Sequence, residues 1–454
     1  EPEAAASLPA MVARSADPKA VAREAVVLVM VGLPARGKSY LSGAVVRHLR
    51  LLGVRVRNFN AGELRRTTGA AGGAGAQADF FSTSNQAAKN EREKLAMSCC
   101  ESLLDWIRQA PPNTSSVGIL DATNTTLARR ARVLQICRDA AREMADEGEH
   151  APLRVIFLES LCDDPRLLKD NYRMKLRNDD YKGSTNDDAA LQDFQSRVSA
   201  YEAQYEPLED RELAAVPEDE DGVAVPAGCI RIFNGGEKIV CCRITSSLVA
   251  APIISLMHSM HLTPRRVLLA LQVNEAGVEV EPGRLAALLR EAEVEEERPI
   301  DVLCSADRSG AELARQMQQL CHAASSVAAP SQGKARHQPR AVLTLRALQT
   351  RRSDTGDVGE EESYADLVRR MRSEVLLLIE RLPRSVLVVC PGDDVLRVLM
   401  AHFLGCEDRS ICDMRVPKGK ALQLSRDHKG FSAKEVPYPP SRGKEHFFAA
   451  RGPG

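Results

Sequence analysis

Residues Val26–Leu41 read VVLVMVGLPARGKSYL, six apolar residues running into a glycine, a second glycine, a lysine and a hydroxyl side chain. Six consecutive apolar residues with four valines predict a strand buried on both faces, as in the middle of a parallel sheet. Gly32–Ser39, GLPARGKS, then fits GxxxxGK[ST], and the amphipathic Ser42–Leu52 predicts a helix behind it. The physics of this arrangement is specific. Glycines let successive backbone N–H groups turn toward a phosphate, the helix N-terminus adds its dipole, and lysine brings a compact charge to the outer phosphates. Ser39 is then placed to hold Mg2+.

Outward from this loop, strand-like and helix-like stretches alternate: Val54–Asn60, Gln86–Arg108, Val117–Leu120, Arg129–Met144 and Arg154–Leu158. That alternation predicts an α/β fold with a mostly parallel sheet over 25–208. Residues 1–24, rich in Ala, Pro and Ser, are expected to be a flexible tail, and Thr67–Ala78 a Gly/Ala loop. PEDEDG and two prolines mark 209–228 as a linker. From 229 to 454 the pattern resumes, with strands expected at Arg266–Leu271, Asp301–Cys304 and Val386–Cys390 and helices at Leu285–Glu297 and Glu312–Cys321. A second α/β domain is therefore expected, interrupted by loops at Ala329–Arg340 and Arg351–Glu361.

Composition bounds the function. The 454 residues carry 61 Lys and Arg against 62 Asp and Glu, a net charge of −1, so no global field draws the protein to nucleic acid or an acidic membrane. Anion binding must be local. Apolar runs are too short to span a bilayer, and a cytoplasmic location is expected. The 12 cysteines include no CxxC pair, which favours reduced thiols over disulfides or a zinc site. The chain begins at Glu1 rather than Met, so residues before it are expected.

A phosphate loop needs a carboxylate on a neighbouring strand to share the magnesium ion. Asp121, ending the apolar run of Val117–Thr126 (VGILDATNTT), is the candidate. Arg65 and Arg66 follow one predicted strand, Arg92 lies on a helix, Arg129 and Arg130 follow the DATNTT turn, and Arg197 stands four residues before Tyr201. Taken singly, these are solvated surface charges. Together they indicate recognition of a phosphorylated acceptor, because Arg grips phosphate in bidentate fashion. The residues thus describe a phosphotransferase. Two other readings stay open: another P-loop phosphotransferase such as a polynucleotide kinase, against which 4% aromatic content counts, and a catalytically silent protein that binds a nucleotide or sugar bisphosphate.

VMVGLPARGKSYL, FNAGELRR at Phe59–Arg66, LDATNTT at Leu120–Thr126, FLESLCDDP at Phe157–Pro165 and RVSAYEAQYEPL at Arg197–Leu208 together resemble the 6-phosphofructo-2-kinase/fructose-2,6-bisphosphatase family. The resemblance implies ATP-dependent phosphorylation of fructose 6-phosphate at its 2-hydroxyl, in a protein expected to bind ATP, Mg2+ and fructose 6-phosphate but neither nucleic acid nor membrane, with a homodimer among the expected assemblies. It implies that Gly32, Leu33, Pro34, Ala35, Arg36, Gly37, Lys38, Ser39 and Tyr40 form the ATP loop, with Lys38 on the transferred phosphoryl and Ser39 and Asp121 on magnesium. Asp121 and Cys162 match the family's active-site pair, beside the plainer reading of Cys162 as a small buried thiol. Arg65, Arg92, Thr123, Arg129, Arg197 and Tyr201 match positions for fructose 6-phosphate. Asn171 opens the nucleotide-lining segment, and Lys175 matches a lysine touching both substrates. NYRMK departs from the usual spacing there, so Arg173 and Arg177 are its alternatives. No strong base for the sugar hydroxyl stands out, and a loose phosphoryl-transfer transition state asks for little from one.

In this family a bisphosphatase of the histidine-phosphatase class usually follows, with its nucleophile in an RHG motif. The matching stretch here, Thr263–Glu275 (TPRRVLLALQVNE), puts Leu271, Gln272 and Val273 at those positions. The second family histidine is matched by Pro391, after Cys390. Glu362 matches the family's acid. The resemblance therefore implies a second domain of histidine-phosphatase fold stripped of catalysis. His258 and His261, in HxxH spacing, are read as half-buried helix residues rather than a metal pair.

Overall fold

β1 (Ala25–Val31) is buried at all seven positions, as its unbroken apolar run requires. The computed structural model describes residues 24–68, 85–111, 114–147, 151–176, 187–213, 225–244, 247–260, 265–272, 280–296, 298–325, 341–350, 362–405, 411–426 and 430–440. After β1 the chain turns at Gly37, whose φ of 85° suits glycine, into helix α1 (Lys38–Leu51). β2 (Arg55–Asn60) leads to α2 (Ala61–Thr67), and α3 (Gln86–Arg108) follows. Both helices begin at an asparagine cap: Asn60 and Asn85 accept from the backbone N–H of Glu63 and Ala88, each at 2.9 Å. β3 (Ser116–Asp121), α4 (Leu127–Glu147), β4 (Leu153–Leu161), α5 (Pro165–Leu176), α6 (Asp187–Glu202), β5 (Ala227–Phe233) and β6 (Lys238–Cys242) complete the unit. The strands lie in the order β2-β3-β1-β4-β5-β6, all parallel except the edge strand β6.

Beyond α7 (Ala250–Ser259), a second sheet is built from β7 (Arg266–Leu271), α8 (Pro282–Glu296), β8 (Asp301–Ser305), α9 (Arg308–Ser325), β9 (Val342–Leu345), α10 (Tyr364–Met371), α11 (Leu377–Arg381), β10 (Val386–Cys390), α12 (Asp393–Leu404), β11 (Lys420–Arg426) and β12 (Phe431–Pro437). Its order is β12-β11-β7-β10-β8-β9, parallel through β7-β10-β8-β9 and closed on one side by an antiparallel hairpin. The expected pair of mostly parallel α/β sheets is what the chain forms.

Three expectations change. Residue 229 falls inside β5, which is paired with β4, so the first sheet extends past the acidic linker by two strands before the second begins. Glu24, expected in a flexible tail, is buried: it pairs with Arg154 at 2.8 Å and accepts from Ser247 Oγ and the Val249 N–H. His258 is exposed on α7, and its expected companion His261 lies outside the described residues. Most of the Gly/Ala loop, residues 214–224 of the linker, and the segments 329–340 and 351–361 also lie outside them. No described helix is long and apolar enough to cross a membrane.

The alternation of β1 divides the core. Val27, Val29 and Val31 face a cluster with α3 and α4, while Val26, Leu28 and Met30 face α1. That second cluster does not stop at α1. It continues through Leu41, Val45 and Leu49 to Phe403, Leu424, Phe431 and Val267 in the second unit. Each large apolar side chain buried there contributes roughly 1.5–3 kcal/mol. Where the units meet, His48 of α1 stands edge-on to His402 of α12 at 5.9 Å between ring centroids. His402 Nε2 lies 3.2 Å from Glu380 Oε1, and Arg265 donates to Glu380 Oε2 at 2.8 Å.

Candidate active site

The loop after β1 is held open from below. Gly32 has φ 133°, and a Cβ on it would lie 2.6 Å from the Ser160 carbonyl oxygen, so only glycine fits against β4. Its N–H donates to the Thr123 carbonyl at 2.9 Å, tying the loop to the turn after β3. Asn124 is fully buried there with φ 45° and donates to the Met30 carbonyl at 2.8 Å. From the other side, Asn171 of α5 donates to the Ala35 carbonyl at 3.0 Å. The loop is thus fixed by side chains from α5 and from the turn after β3.

A cavity of about 580 Å³ opens above it. Pro34, Ala35, Gly37, Lys38, Ser39, Tyr40 and Asn171 line it, as do Asp121, Thr123, Arg65, Arg92, Arg129, Lys175, Arg197 and Tyr201. Residues from six helices and the turn after β3 therefore converge on one space. Lys175 reaches this cavity, whereas its alternative Arg173 does not line it and Arg177 is outside the described residues.

Four predicted residues are placed otherwise. Gly32 and Leu33 act through the backbone, beneath the loop. The side chain of Arg36 is turned away, donating to Tyr172 Oη at 3.4 Å and pairing with Glu202 at 3.2 Å. Cys162 does not line the cavity. It follows the end of β4 and packs on the apolar cluster, and burial pushes its thiol above the usual value, the opposite of an activated nucleophile. The plain reading of Cys162 as a packed thiol is the one its position supports.

Charge at the site is strongly uneven. Burial pulls Lys38 down to about 7, and Lys175, Arg36 and Arg197 add to that, with Asp121 opposing them. Its Nζ donates to the Leu33 carbonyl at 2.5 Å. Asp121 is 4% exposed and accepts at Oδ2 from Asn60 Nδ2 at 2.6 Å and Ser42 Oγ at 3.4 Å, and it lines the cavity together with Ser39. Burial also lowers Arg92, within reach of Arg129, Arg197 and Tyr201. Arg129 pairs with Glu93 at 2.5 Å, whereas its neighbour Arg130 is fully buried and forked onto Glu212, a framework residue. Cationic side chains thus outnumber carboxylates along the cavity wall.

Sequence reasoning missed part of the wall: Arg47, Arg50 and Arg57, and Leu404, Gly405 and Arg426 from the second unit. The helical spacing of Ser39, Gly43, Arg47 and Arg50 along α1 was the available signal for the first two. For Arg426 there was none, since its approach depends on the docking of the two units.

Gln272 and Glu362, matched by resemblance to the family's nucleophile and acid, are both engaged by neighbouring side chains. Gln272 donates through Nε2 to Ser309 Oγ at 2.6 Å, beside a cavity of about 390 Å³. Glu362 is held by both Nε and Nη2 of Arg370, at 2.8 and 2.9 Å. Among the described residues, no group of three or more His, Cys, Asp or Glu could hold a metal ion.

Residues 15–259 match the family model for 6-phosphofructo-2-kinase. A 6-phosphofructo-2-kinase/fructose-2,6-bisphosphatase of Caenorhabditis elegans is 34% identical over 246 residues, 54% of this chain and 48% of that protein. The chain thus spans about half the length of that relative. One of Gallus gallus with the same name is 28% identical over 427 residues, 88% of this chain and 82% of that one, so likeness continues through the second unit. A solved mycobacterial glucosyl-3-phosphoglycerate phosphatase is 16% identical, covering 39% of this chain and 99% of its own, with a TM-score of 0.24.

Proposed function

Since the chain belongs to the 6-phosphofructo-2-kinase family, we propose that it transfers the γ-phosphoryl group of ATP to the 2-hydroxyl of fructose 6-phosphate, giving fructose 2,6-bisphosphate and thereby regulating glycolysis and gluconeogenesis. The observation that carries this reading is the single cavity shared by an intact phosphate loop and a wall of arginines. Gly32–Tyr40 wrap the triphosphate with backbone N–H groups, and Asn171 and Lys175 bound the nucleotide side. Arg65, Arg92, Arg129 and Arg197, with Thr123 and Tyr201, hold the sugar phosphate. Lys38 neutralises charge on the phosphoryl group as it moves. Hard oxygen donors suit magnesium, and Ser39 and Asp121 provide them without a dedicated all-protein cage. When bound, Mg2+ supplies charge neutralisation between the outer phosphates. The test is incubation with ATP and fructose 6-phosphate alongside a panel of other sugar phosphates: an acid-labile bisphosphate formed from fructose 6-phosphate is expected, and its absence would sink the assignment.

Arg197→Ala is expected to raise the KM for fructose 6-phosphate by about tenfold or more while leaving that for ATP within about twofold, from the roughly 1.5–3 kcal/mol of a charge-assisted contact. Equal effects on both substrates would instead indicate a disturbed fold. Lys38 supplies a further check. With its ammonium near about 7 in the empty site, binding of a polyphosphate favours the charged form, so ATP binding at about pH 8.5 should take up close to one proton that Lys38→Met does not take up. Calorimetry in buffers of different ionisation enthalpy measures it. Identical proton uptake in both proteins would exclude Lys38 as the source.

The second unit, we infer, has no bisphosphatase activity. A neutral amide at Gln272 cannot form a phosphohistidine, Pro391 offers no proton, and Glu362 is already committed to Arg370. Fructose 2,6-bisphosphate labelled at the 2-phosphate should therefore release no phosphate above the no-protein rate; a labelled histidine in the chain would contradict the inference.

A further inference from the structure

Helix α6 does not stand on either sheet. Among the described residues, none of its side chains joins the three large apolar clusters that line the sheets. Phe194 and Val198, both buried, instead form a small cluster with Ala35 of the phosphate loop, flanked by Tyr172 and Leu176 of α5. The rings of Tyr172 and Phe194 meet edge-on at 5.4 Å between centroids. The helix therefore rests on the loop and on α5.

Helical spacing turns that seat into a constraint on the site. Phe194, Val198 and Glu202 stand four residues apart in one row, while Arg197 and Tyr201 form the row beside it and line the cavity. Gln192, Gln195, Ser196 and Ser199 are exposed on the opposite side. Whatever fixes the rotation of the first row fixes where the second row points. Beyond the helix, Glu159 accepts from Tyr205 Oη at 2.5 Å and from the Leu208 N–H at 3.0 Å, which anchors the exit of the chain but leaves rotation about the helix axis to the seat.

Arg36 supplies the polar part of that seat. Its side chain is 7% exposed and donates through Nη1 to the Pro34 carbonyl at 3.2 Å and Tyr172 Oη at 3.4 Å, and through Nη2 to Glu202 Oε1 at 3.2 Å. One planar fork thus ties the loop to α5 and to the last residue of α6. Because the Glu202 side chain is 49% exposed, the pair adds little to stability, and what it fixes is orientation.

We propose that Arg36 is a positioning residue for the phosphorylated acceptor: through Glu202 it sets the rotation of α6 and hence the place of Arg197 and Tyr201. A side chain of the nucleotide loop then governs the grip on the sugar phosphate and not that on the nucleotide. The proposal rests on the reading of Arg197 and Tyr201 as the acceptor's residues.

The test uses the full chain, with initial rates against fructose 6-phosphate and calorimetric titration of Mg-ADP. Arg36→Met and Glu202→Ala should each raise the KM for fructose 6-phosphate by about three- to tenfold, with ADP affinity held within about twofold, because they displace the acceptor's residues and not the loop backbone. The double variant should be no more than about twofold worse than the more affected single one, since both remove the same contact. A KM within about twofold of wild type for Glu202→Ala would overturn the proposal, as would effects that multiply in the double variant. So would an ADP affinity that falls in step with the rise in KM, which would place Arg36 with the nucleotide or with the folding of the loop. If Arg36→Met does not fold, Glu202→Ala decides alone, because it leaves Ala35, Phe194 and Val198 in contact. A wild-type chain that turns over no fructose 6-phosphate removes the acceptor reading and the proposal together, whereas turnover with an unmoved KM in the variants removes the proposal alone.

Discussion

Lys38→Met is expected to lower turnover by about 10²–10³-fold, with a smaller change in the KM for ATP. The ammonium meets the outer phosphates most strongly when charge spreads over the moving phosphoryl group, so its loss falls mainly on the transition state. Methionine keeps the chain length, and Lys38 sits where α1 begins, so the helix and its packing persist. The low basicity of the buried ammonium sharpens the contrast, because the site holds its cation at a cost that only a bound anion offsets. Initial rates with ATP and fructose 6-phosphate measure the effect. Turnover within about fivefold of wild type would show that the loop binds a nucleotide without driving transfer.

Glu380→Ala is expected to cost about 3–5 kcal/mol in a urea titration, because it leaves Arg265 and His402 buried without their shared carboxylate. A loss below about 1 kcal/mol would show that water reaches the seam. The same place predicts acid sensitivity. Burial, then His402 and Arg372, hold His48 down to about 3, and neither of its ring nitrogens has a hydrogen-bond partner among the described residues. The unfolded chain therefore takes up a proton from about pH 6.5 downward that the folded ring refuses, and stability falls as pH drops through that window. Burial by itself would raise Glu380, but the His402 hydrogen bond and the charges of Arg265 and Arg47 hold it at about 2. Its contribution, present above its ordinary 4.5, is lost between there and about 2. His48→Phe should flatten the upper part of this profile in thermal melts, and an unchanged slope between about pH 6.5 and 5 would assign the acid sensitivity elsewhere.

What was legible in the sequence was what the chain encodes locally. Gly32, Gly37, Lys38 and Ser39 lie within eight residues, and their geometry follows from one turn. Asp121 could be read because a parallel strand ends where its neighbour's loop begins. Arg65, Arg92 and Arg129 were visible as strand-end and helix arginines, though nothing local told Arg129, which lines the cavity, from Arg130, which is locked to Glu212. The start of the second unit was misplaced because an acidic, proline-bearing stretch marks chain flexibility and not the edge of a sheet, and β5 and β6 return to pair beyond it. Cys162 was drawn toward catalysis by its place in a motif, but the end of β4 turns it to the apolar cluster. Arg426 was beyond sequence reasoning altogether, since a side chain nearly four hundred residues downstream reaches the loop only through the docking of α12 and β12 on α1.

The continuous apolar cluster from Leu49 to Phe403 and Phe431 also has a consequence for synthesis. A ribosome releases α1 long before it releases the residues that cover its outer face, and at roughly 5–20 residues per second that interval is on the order of 20–80 s. For that time the helix that begins at Lys38 presents Tyr40 and its apolar neighbours to solvent, a surface that chaperones bind. Fragments ending before Phe403 should therefore be recovered in complex with chaperones or as aggregates, and a stop codon late in the message would remove the proposed kinase activity as surely as one at its start.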